Sequence, residues 1–169
     1  MARITVLGGT GYAGAAIAAE AAKRGHEVTA VNRSAVEAPV EGVEYVTGSA
    51  LDAGVLDRVV AGRDAVVIAL SPRGDMAGKL EPIVEDLIQR LAGTPTRLGY
   101  VGGASSLLTE EGGPRLWDVS HEQMPDDVKP AVETGLNALE LFQNSPETAD
   151  WFYVSPPAVF GSCLGPAST

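Results

Sequence analysis

A single cysteine, Cys163, leaves no partner for an intrachain disulfide, and two histidines are too few for a Cys/His cluster at structural-zinc spacing. A reducing cytoplasm is the expected location. Basic residues are also scarce, with 12 Lys+Arg against 22 Asp+Glu in 169 residues and a net charge of −10. A surface of that sign repels phosphate backbones and anionic lipid. It excludes general nucleic-acid or membrane-surface binding and requires any anionic ligand to be captured locally. Long apolar runs are missing too. The strongest, Ala65 to Leu70, is far shorter than the ~20 residues that span a bilayer, and no basic segment followed by an apolar one opens the chain. The sequence therefore predicts neither a secreted nor a membrane-embedded protein. The acidic clusters Thr109-Glu110-Glu111 and 122–127 lack tight ligand spacing and read as solvated loop charges, so no metal is expected.

What is present is a 45% hydrophobic composition with 20 glycines and 11 prolines, which fits one globular domain over residues 1–169. Arg3 to Leu7 is a short β-branched run that stops at Gly8-Gly9-Thr10-Gly11-Tyr12-Ala13-Gly14, after which Ala15 to Arg24 is rich in helix formers. Gly25 can end that helix, and His26 to Val31 supplies a second strand, so the opening segment is a βαβ unit. Further strands are expected at Gly42 to Val46, Asp64 to Leu70, Arg97 to Val101 and Trp151 to Val154. Helices are expected at Ala53 to Ala61, Lys79 to Ala92 and Pro130 to Phe142. Residues 102–127 read as a loop. No repeat or composition break marks a second domain. The fold class is α/β, a doubly wound parallel sheet (Rossmann fold) of strand order 3-2-1-4-5-6.

Gly8, Gly11 and Gly14 follow a strand and open a helix, which gives the G-x-x-G-x-x-G spacing a physical meaning. The backbone must turn sharply, approach a pyrophosphate without Cβ atoms in the way, and present N–H groups at a helix N-terminus carrying about half a positive charge. Gly8 is expected to turn, Gly11 to admit phosphate and Gly14 to pack the helix. At the end of the second strand stands Asn32-Arg33-Ser34, where an NAD-preferring site would place a carboxylate for the ribose 2′-hydroxyl. Arg33 suits a 2′-phosphate instead, with Ser34 adding a hydroxyl donor, so the expected cofactor is NADP(H).

Together with the glycine turn, the stretches Val66 to Ser71, Val101 to Leu107 and Val154 to Phe160 resemble the atypical short-chain dehydrogenase/reductases of the NAD(P)H-binding, NADH-flavin reductase group, of the biliverdin reductase B/flavin reductase type. The resemblance runs from residue 1 to about Phe160. It implies that Gly8, Thr10, Gly11, Tyr12 and Ala13 hold a pyrophosphate and that Arg33 and Ser34 hold a 2′-phosphate. It places Ala69, Leu70 and Ser71 along the nicotinamide ribose, with Arg73 near the cofactor. Ser105 would lie beside the nicotinamide as the catalytic candidate, and the segment containing Pro156 would meet the nicotinamide end. Gly48-Ser49 replaces the Gly-Asp common in the group and removes a carboxylate that would meet adenine. The group usually continues past the Pro-Pro strand with another strand and helix, whereas this sequence reads Gly161 to Thr169 there, so an open or partner-completed substrate side is expected.

Ordinary short-chain dehydrogenases use a tyrosine with a lysine four residues later. Here Tyr12, Tyr45, Tyr100 and Tyr153 are followed at that spacing by Ala16, Ser49, Ala104 and Pro157. That disfavours alcohol oxidation or epimerisation by that route. Reduction of a flavin or quinone asks less of the protein, which needs only to align two ring systems. His121 reads either as a proton donor near neutral pH or, more simply, as a loop residue with no role. Leu116 and Trp117 would either stack on a planar acceptor or anchor the loop. The expected function is an NADPH-dependent reductase of a flavin, quinone or similar planar small molecule. The alternative is an NADP(H)-binding redox sensor without turnover, and a homo-oligomer is a third expectation should an uncovered edge invite pairing.

Overall fold

Short runs rich in valine, isoleucine and aromatic residues become six strands in the computed structural model of the chain, which describes residues 1–160. They are β1 (Arg3–Leu7), β2 (Glu27–Asn32), β3 (Val43–Thr47), β4 (Ala65–Ile68), β5 (Arg97–Val101) and β6 (Trp151–Val154). All pair in parallel in the order β3-β2-β1-β4-β5-β6, the order expected from the sequence. Parallel neighbours need crossovers, and α1 (Tyr12–Lys23), α2 (Ala53–Val60), α3 (Leu80–Leu91) and α5 (Lys129–Gln143) supply helical ones, with a short α4 (Leu116–Ser120) between β5 and α5.

The helices show why the sheet is covered on both faces. In α3, Leu80, Ile83, Val84, Leu87, Ile88 and Leu91 recur at helical spacing and are all buried. They join α2, α5 and the strand residues Leu7, Val31, Val66, Ile68, Leu98 and Tyr100 in the larger core. On the other face α1 presents mostly small side chains, with Ala18 and Ala21 buried against Val6, Val28 and Ala30 and Ile17 packed beside them. Side chains alternate across a strand, so Leu7 enters one core and Val6 the other. Asp52 starts α2 by accepting from the Gly54 N–H at 2.8 Å and from the Val55 N–H. Pro82 sits in the first turn of α3, where no helical N–H is needed.

The register aligns the carboxyl ends of the strands. Val46, Val31, Leu7, Ile68, Tyr100 and Tyr153 pair successively across the sheet and form one row. Above that row the chain leaves the sheet, and ligand sites of open α/β sheets form there.

Most boundaries shift by a residue, and three departures from expectation are larger or bear on the cleft. The helix α1 begins at Tyr12 rather than Ala15, because Gly11 already acts as its N-cap in extended conformation. The fourth strand stops at Ile68 rather than Leu70, since the Ala69 carbonyl turns against Gly8. Residues 102–127 are not plain loop: they hold 3-10 turns at Ala104–Ser106 and His121–Gln123, the bridge Leu108↔Arg115, and α4. The Asp118 carboxylate accepts from the Arg115 N–H at 2.8 Å and closes the first turn of α4. The tail Gly161 to Thr169, including Cys163, lies outside the described residues. No helix among the described residues is long and apolar enough to cross a membrane.

Candidate functional site

A cleft of about 720 Å³ runs along the carboxyl ends of the strands, from the end of β2 across the glycine turn to β5, β6 and α5. Its middle is the glycine turn. The Gly8 and Gly9 N–H groups donate to the Val31 carbonyl at 2.9 and 3.2 Å, which bends the chain back after β1. Gly8 adopts φ +90°, a left-handed conformation that favours glycine, and a Cβ there would meet the Ala69 carbonyl oxygen at 2.6 Å. Gly14 is buried, and a Cβ on it would overlap the Gly8 carbonyl. Gly11 differs: its φ of −74° suits any residue, and a Cβ would find only the Gly8 and Ala69 oxygens at 3.4 and 3.8 Å. Packing therefore accounts for glycine at 8 and 14 but not at 11. Position 11 faces the open cleft, where a side chain would fill the space a phosphate needs. No side chain caps the N-terminus of α1, so its first-turn amides and positive dipole end are directed at that space.

The β2 end of the cleft is lined by Asn32, Arg33, Gly48, Ser49 and Ala50. The Asn32 carbonyl accepts from the Gly48 N–H at 2.9 Å, tying the ends of β2 and β3 together. The Asn32 side-chain amide donates to the Ser34 carbonyl and tightens the turn that presents Arg33. Its Oδ1 is buried without a partner among the described residues. Ser49, where the resembled group has aspartate, accepts from the Leu51 N–H at 3.1 Å and brings no charge.

The opposite end is lined by Ala69, Leu70, Ser71, Pro72 and Arg73 after β4, by Gly102, Gly103, Ser105 and Ser106 after β5, by Tyr153, and by Ala131, Val132, Gly135 and Leu136 of α5. The Ser106 hydroxyl donates to the Gly103 carbonyl at 2.8 Å and lies 2.8 Å from the Ser155 hydroxyl. The Tyr153 hydroxyl donates to the Gly135 carbonyl at 2.9 Å. Burial pushes the Tyr153 phenol up from its ordinary range. The neighbouring Ser106 hydroxyl and Gly103 backbone, and the charge of Arg115, draw it partly back. Tyr100 stacks on Tyr153 at 5.2 Å, and burial, with Tyr153 and Glu81 adding to it, pushes its phenol far up. At the rim, Tyr12 and Phe160 meet edge to face at 5.3 Å.

The structure thus brings Gly8, Thr10, Gly11, Tyr12, Ala13, Arg33, Ala69, Leu70, Ser71, Arg73 and Ser105 to one cleft. Two sequence candidates are not among its lining residues. Ser34 is exposed, with its carbonyl taken up by Asn32, and Pro156 is buried. Trp117 and Leu116 do not line the cleft. Trp117 stacks on His121 at 5.1 Å, and the His121 ring nitrogen Nδ1 sits 2.9 Å from the Trp117 carbonyl, so the two hold the loop together. Sequence reasoning passed over Asn32, Ser106 and Tyr153. No group of three metal-ligating side chains stands together among the described residues.

Charge separates this cleft from the rest of the molecule. On a chain of net charge −10, the lining contains Arg33 and Arg73 and, among the described residues, no carboxylate. The bare phosphate cradle, the helix N-terminus and the two arginines fit a dinucleotide.

Comparison with known proteins agrees. The sequence profile described as NAD(P)H-binding matches residues 8–160. The Bacillus subtilis protein YwnB, itself uncharacterised, is 35% identical over 164 residues, which cover 94% of this chain and 73% of YwnB. A Streptococcus pneumoniae protein provisionally named an NADH-flavin reductase superposes with a TM-score of 0.80 at 32% identity, over 94% of this chain and 73% of that one. A Bacteroides thetaiotaomicron protein provisionally named an epimerase superposes with a TM-score of 0.74 at 30% identity, over 94% and 72%.

Proposed function

The chain belongs to the NAD(P)H-binding family, and we propose that it is an NADPH-dependent oxidoreductase passing hydride to a flavin, quinone or similar planar acceptor. One observation carries this reading: an acidic protein has a dinucleotide-sized cleft lined by two arginines and no carboxylate among its described residues. A carboxylate at the end of β2 would accept from a ribose 2′-hydroxyl and repel a 2′-phosphate. The guanidinium of Arg33 does the reverse and can bind a phosphate through two N–H groups.

In this reading Gly8, Thr10, Gly11, Tyr12 and Ala13 hold the pyrophosphate, while Arg33, helped by Ser34 once the turn rearranges, holds the 2′-phosphate. Ala69, Leu70, Ser71 and Arg73 border the nicotinamide ribose, and Ser105 lies beside the nicotinamide with Pro156 supporting that wall. The reduced nicotinamide supplies hydride when bound, and the protein aligns the two rings and keeps water from between them. The name of the Streptococcus protein supports a reductase, and the lack of a Tyr-x-x-x-Lys pair disfavours an epimerase. The test is NADPH oxidation by the purified chain with menadione, riboflavin and FMN. Turnover above a protein-free control, and faster with NADPH than with NADH, is expected. NADPH binding with no turnover on any acceptor would replace this reading with a sensor.

A further inference from the structure

Aromatic rings are few in this chain, and all lie within the described residues: three phenylalanines, four tyrosines and two tryptophans. Only two of these residues are exposed, Tyr12 at 42% and Phe160 at 48%. Those two touch each other, and both line the cleft. Tyr12 opens α1 directly after Gly11, while Phe160 belongs to the segment that leaves β6. In the sheet, β4 and β5 stand between β6 and β1. The segment is held at its start, where the Ser155 hydroxyl lies 2.8 Å from the Ser106 hydroxyl after β5. It is held again where Phe160 meets Tyr12 edge to face at 5.3 Å. Phe160 therefore reaches Tyr12 across the carboxyl ends of β5 and β4. The two rings stand between the phosphate space beside Gly11 and the wall of the nicotinamide end.

An exposed ring keeps apolar surface in water, and a further ring laid on it gains both the burial and the ring–ring contact. An edge-to-face pair engages the edge of one ring and one face of the other, so ring faces are left to receive it. The other two tyrosines of the cleft, Tyr100 and Tyr153, already stack on each other at 5.2 Å. Trp117, the stacking residue suggested by the sequence, stacks on His121 and does not line the cleft. We propose that Tyr12 and Phe160 form the platform on which the planar ring of the acceptor stacks, a binding subsite beside the phosphate cradle. The inference rests on the reductase reading and adds to it where the acceptor binds and by what contact. Tyr12 gives its backbone to the pyrophosphate and its ring to the acceptor. The ligands of the platform are fused conjugated rings, such as an isoalloxazine or a naphthoquinone, held by ring contact and burial. An aliphatic ketone or aldehyde has no ring to place there.

Phe160→Leu keeps an apolar side chain and removes the ring, and Phe160→Tyr keeps the ring. The measurements are the Kd for NADP⁺, the Kd for riboflavin and for menadione on the NADP⁺-saturated protein by calorimetry, and KM and kcat for menadione with NADPH. A ring contact of this kind is worth about two- to tenfold in affinity. Phe160→Leu should weaken both acceptors by about that factor and raise KM more than it lowers kcat, with the NADP⁺ Kd unchanged, and Phe160→Tyr should restore the native values. Native affinity for both acceptors in Phe160→Leu overturns the platform. So does a loss of NADP⁺ affinity in place of acceptor affinity, which would give the pair to the dinucleotide. A native dimer, seen by sedimentation, that Phe160→Leu takes apart also overturns it, because a second copy would then cover the rings. The two readings fail separately. Acceptor binding that depends on the Phe160 ring, without turnover, overturns the reductase alone, whereas turnover with a native KM in Phe160→Leu overturns the platform alone.

Discussion

Gly11 and Gly14 are indistinguishable in the sequence pattern, yet the structure gives them opposite sensitivities to one added methyl group. At Gly14 the methyl would overlap the Gly8 carbonyl, whose carbon would lie 2.9 Å away and its oxygen nearer still. Neither group can step aside, since Gly8 is held by its own bond to Val31 and α1 by the Ala15 N–H to Gly11 carbonyl bond at 2.8 Å. Overpacking of this kind costs about 1–3 kcal/mol or more, which for a domain of this size lowers Tm by roughly 2–4 °C per kcal/mol. At Gly11 the backbone already has an ordinary φ of −74°, and the nearest atom to a new methyl is 3.4 Å away. The loss of a glycine at an N-cap costs under about 1 kcal/mol, and restricting the unfolded chain returns about 0.4–1 kcal/mol. Gly11→Ala should therefore melt within a degree or two of the native chain. It should nevertheless bind NADPH at least about tenfold more weakly, a loss of about 1.4 kcal/mol, because the methyl occupies the phosphate space. Thermal melts without ligand, followed by calorimetric titration with NADPH, separate the two effects. Native affinity in Gly11→Ala would refute the placement of the pyrophosphate, and a native Tm in Gly14→Ala would refute the close packing of α1 on the turn.

Trp117→Ala should remove the stack on His121 and lower stability by about 1–2 kcal/mol while leaving the KM for menadione unchanged. A raised KM would place the loop over the acceptor after all. Alkaline pH should unfold the protein through its buried phenols. Burial raises the pKa of Tyr100 and Tyr153 in the fold, so their contribution is complete below the unfolded tyrosine value near pH 10 and falls above it, by up to about 1.4 kcal/mol per pH unit for each phenol. Urea titrations from pH 8 to 11 should show this decline, with a shallower slope in Tyr100→Phe. An identical slope in that variant would contradict the assignment.

How much of this was legible depends on how local each feature is. The β1–turn–α1 segment was readable because strand, glycines and helix lie within about twenty consecutive residues, and Gly8 and Gly14 have backbone or packing causes. The sheet order followed from regular alternation of strand and helix. The short helix α4 was missed because five residues in a stretch rich in glycine and proline show no apolar period, and its stabilising contact, Asp118 to the Arg115 N–H, is a single hydrogen bond. Ser34 and Pro156 were named with the segments that hold them, but adjacent residues in a turn or strand do not point the same way, and neither is among the described lining residues of the cleft. The contact of Ser106 with Ser155 was invisible for a different reason. Ser106 and Ser155 are 49 residues apart, and only the parallel register that pairs Tyr100 with Tyr153 brings the loops after β5 and β6 side by side. The unlike environments of Gly11 and Gly14 likewise emerge only once the Ala69 and Gly8 carbonyls are placed.

The central claim is that the cleft, with Arg33 at its β2 end and no carboxylate among its described lining residues, binds a dinucleotide carrying a 2′-phosphate. Calorimetric titration of the native chain and of Arg33→Ala with NADPH and with NADH tests it most directly. The native chain should bind NADPH at least about tenfold more tightly than NADH, a difference of about 1.4 kcal/mol, and Arg33→Ala should lose that difference while keeping its affinity for NADH. Equal native affinity for the two dinucleotides, an unchanged preference in Arg33→Ala, or no binding of either would contradict it.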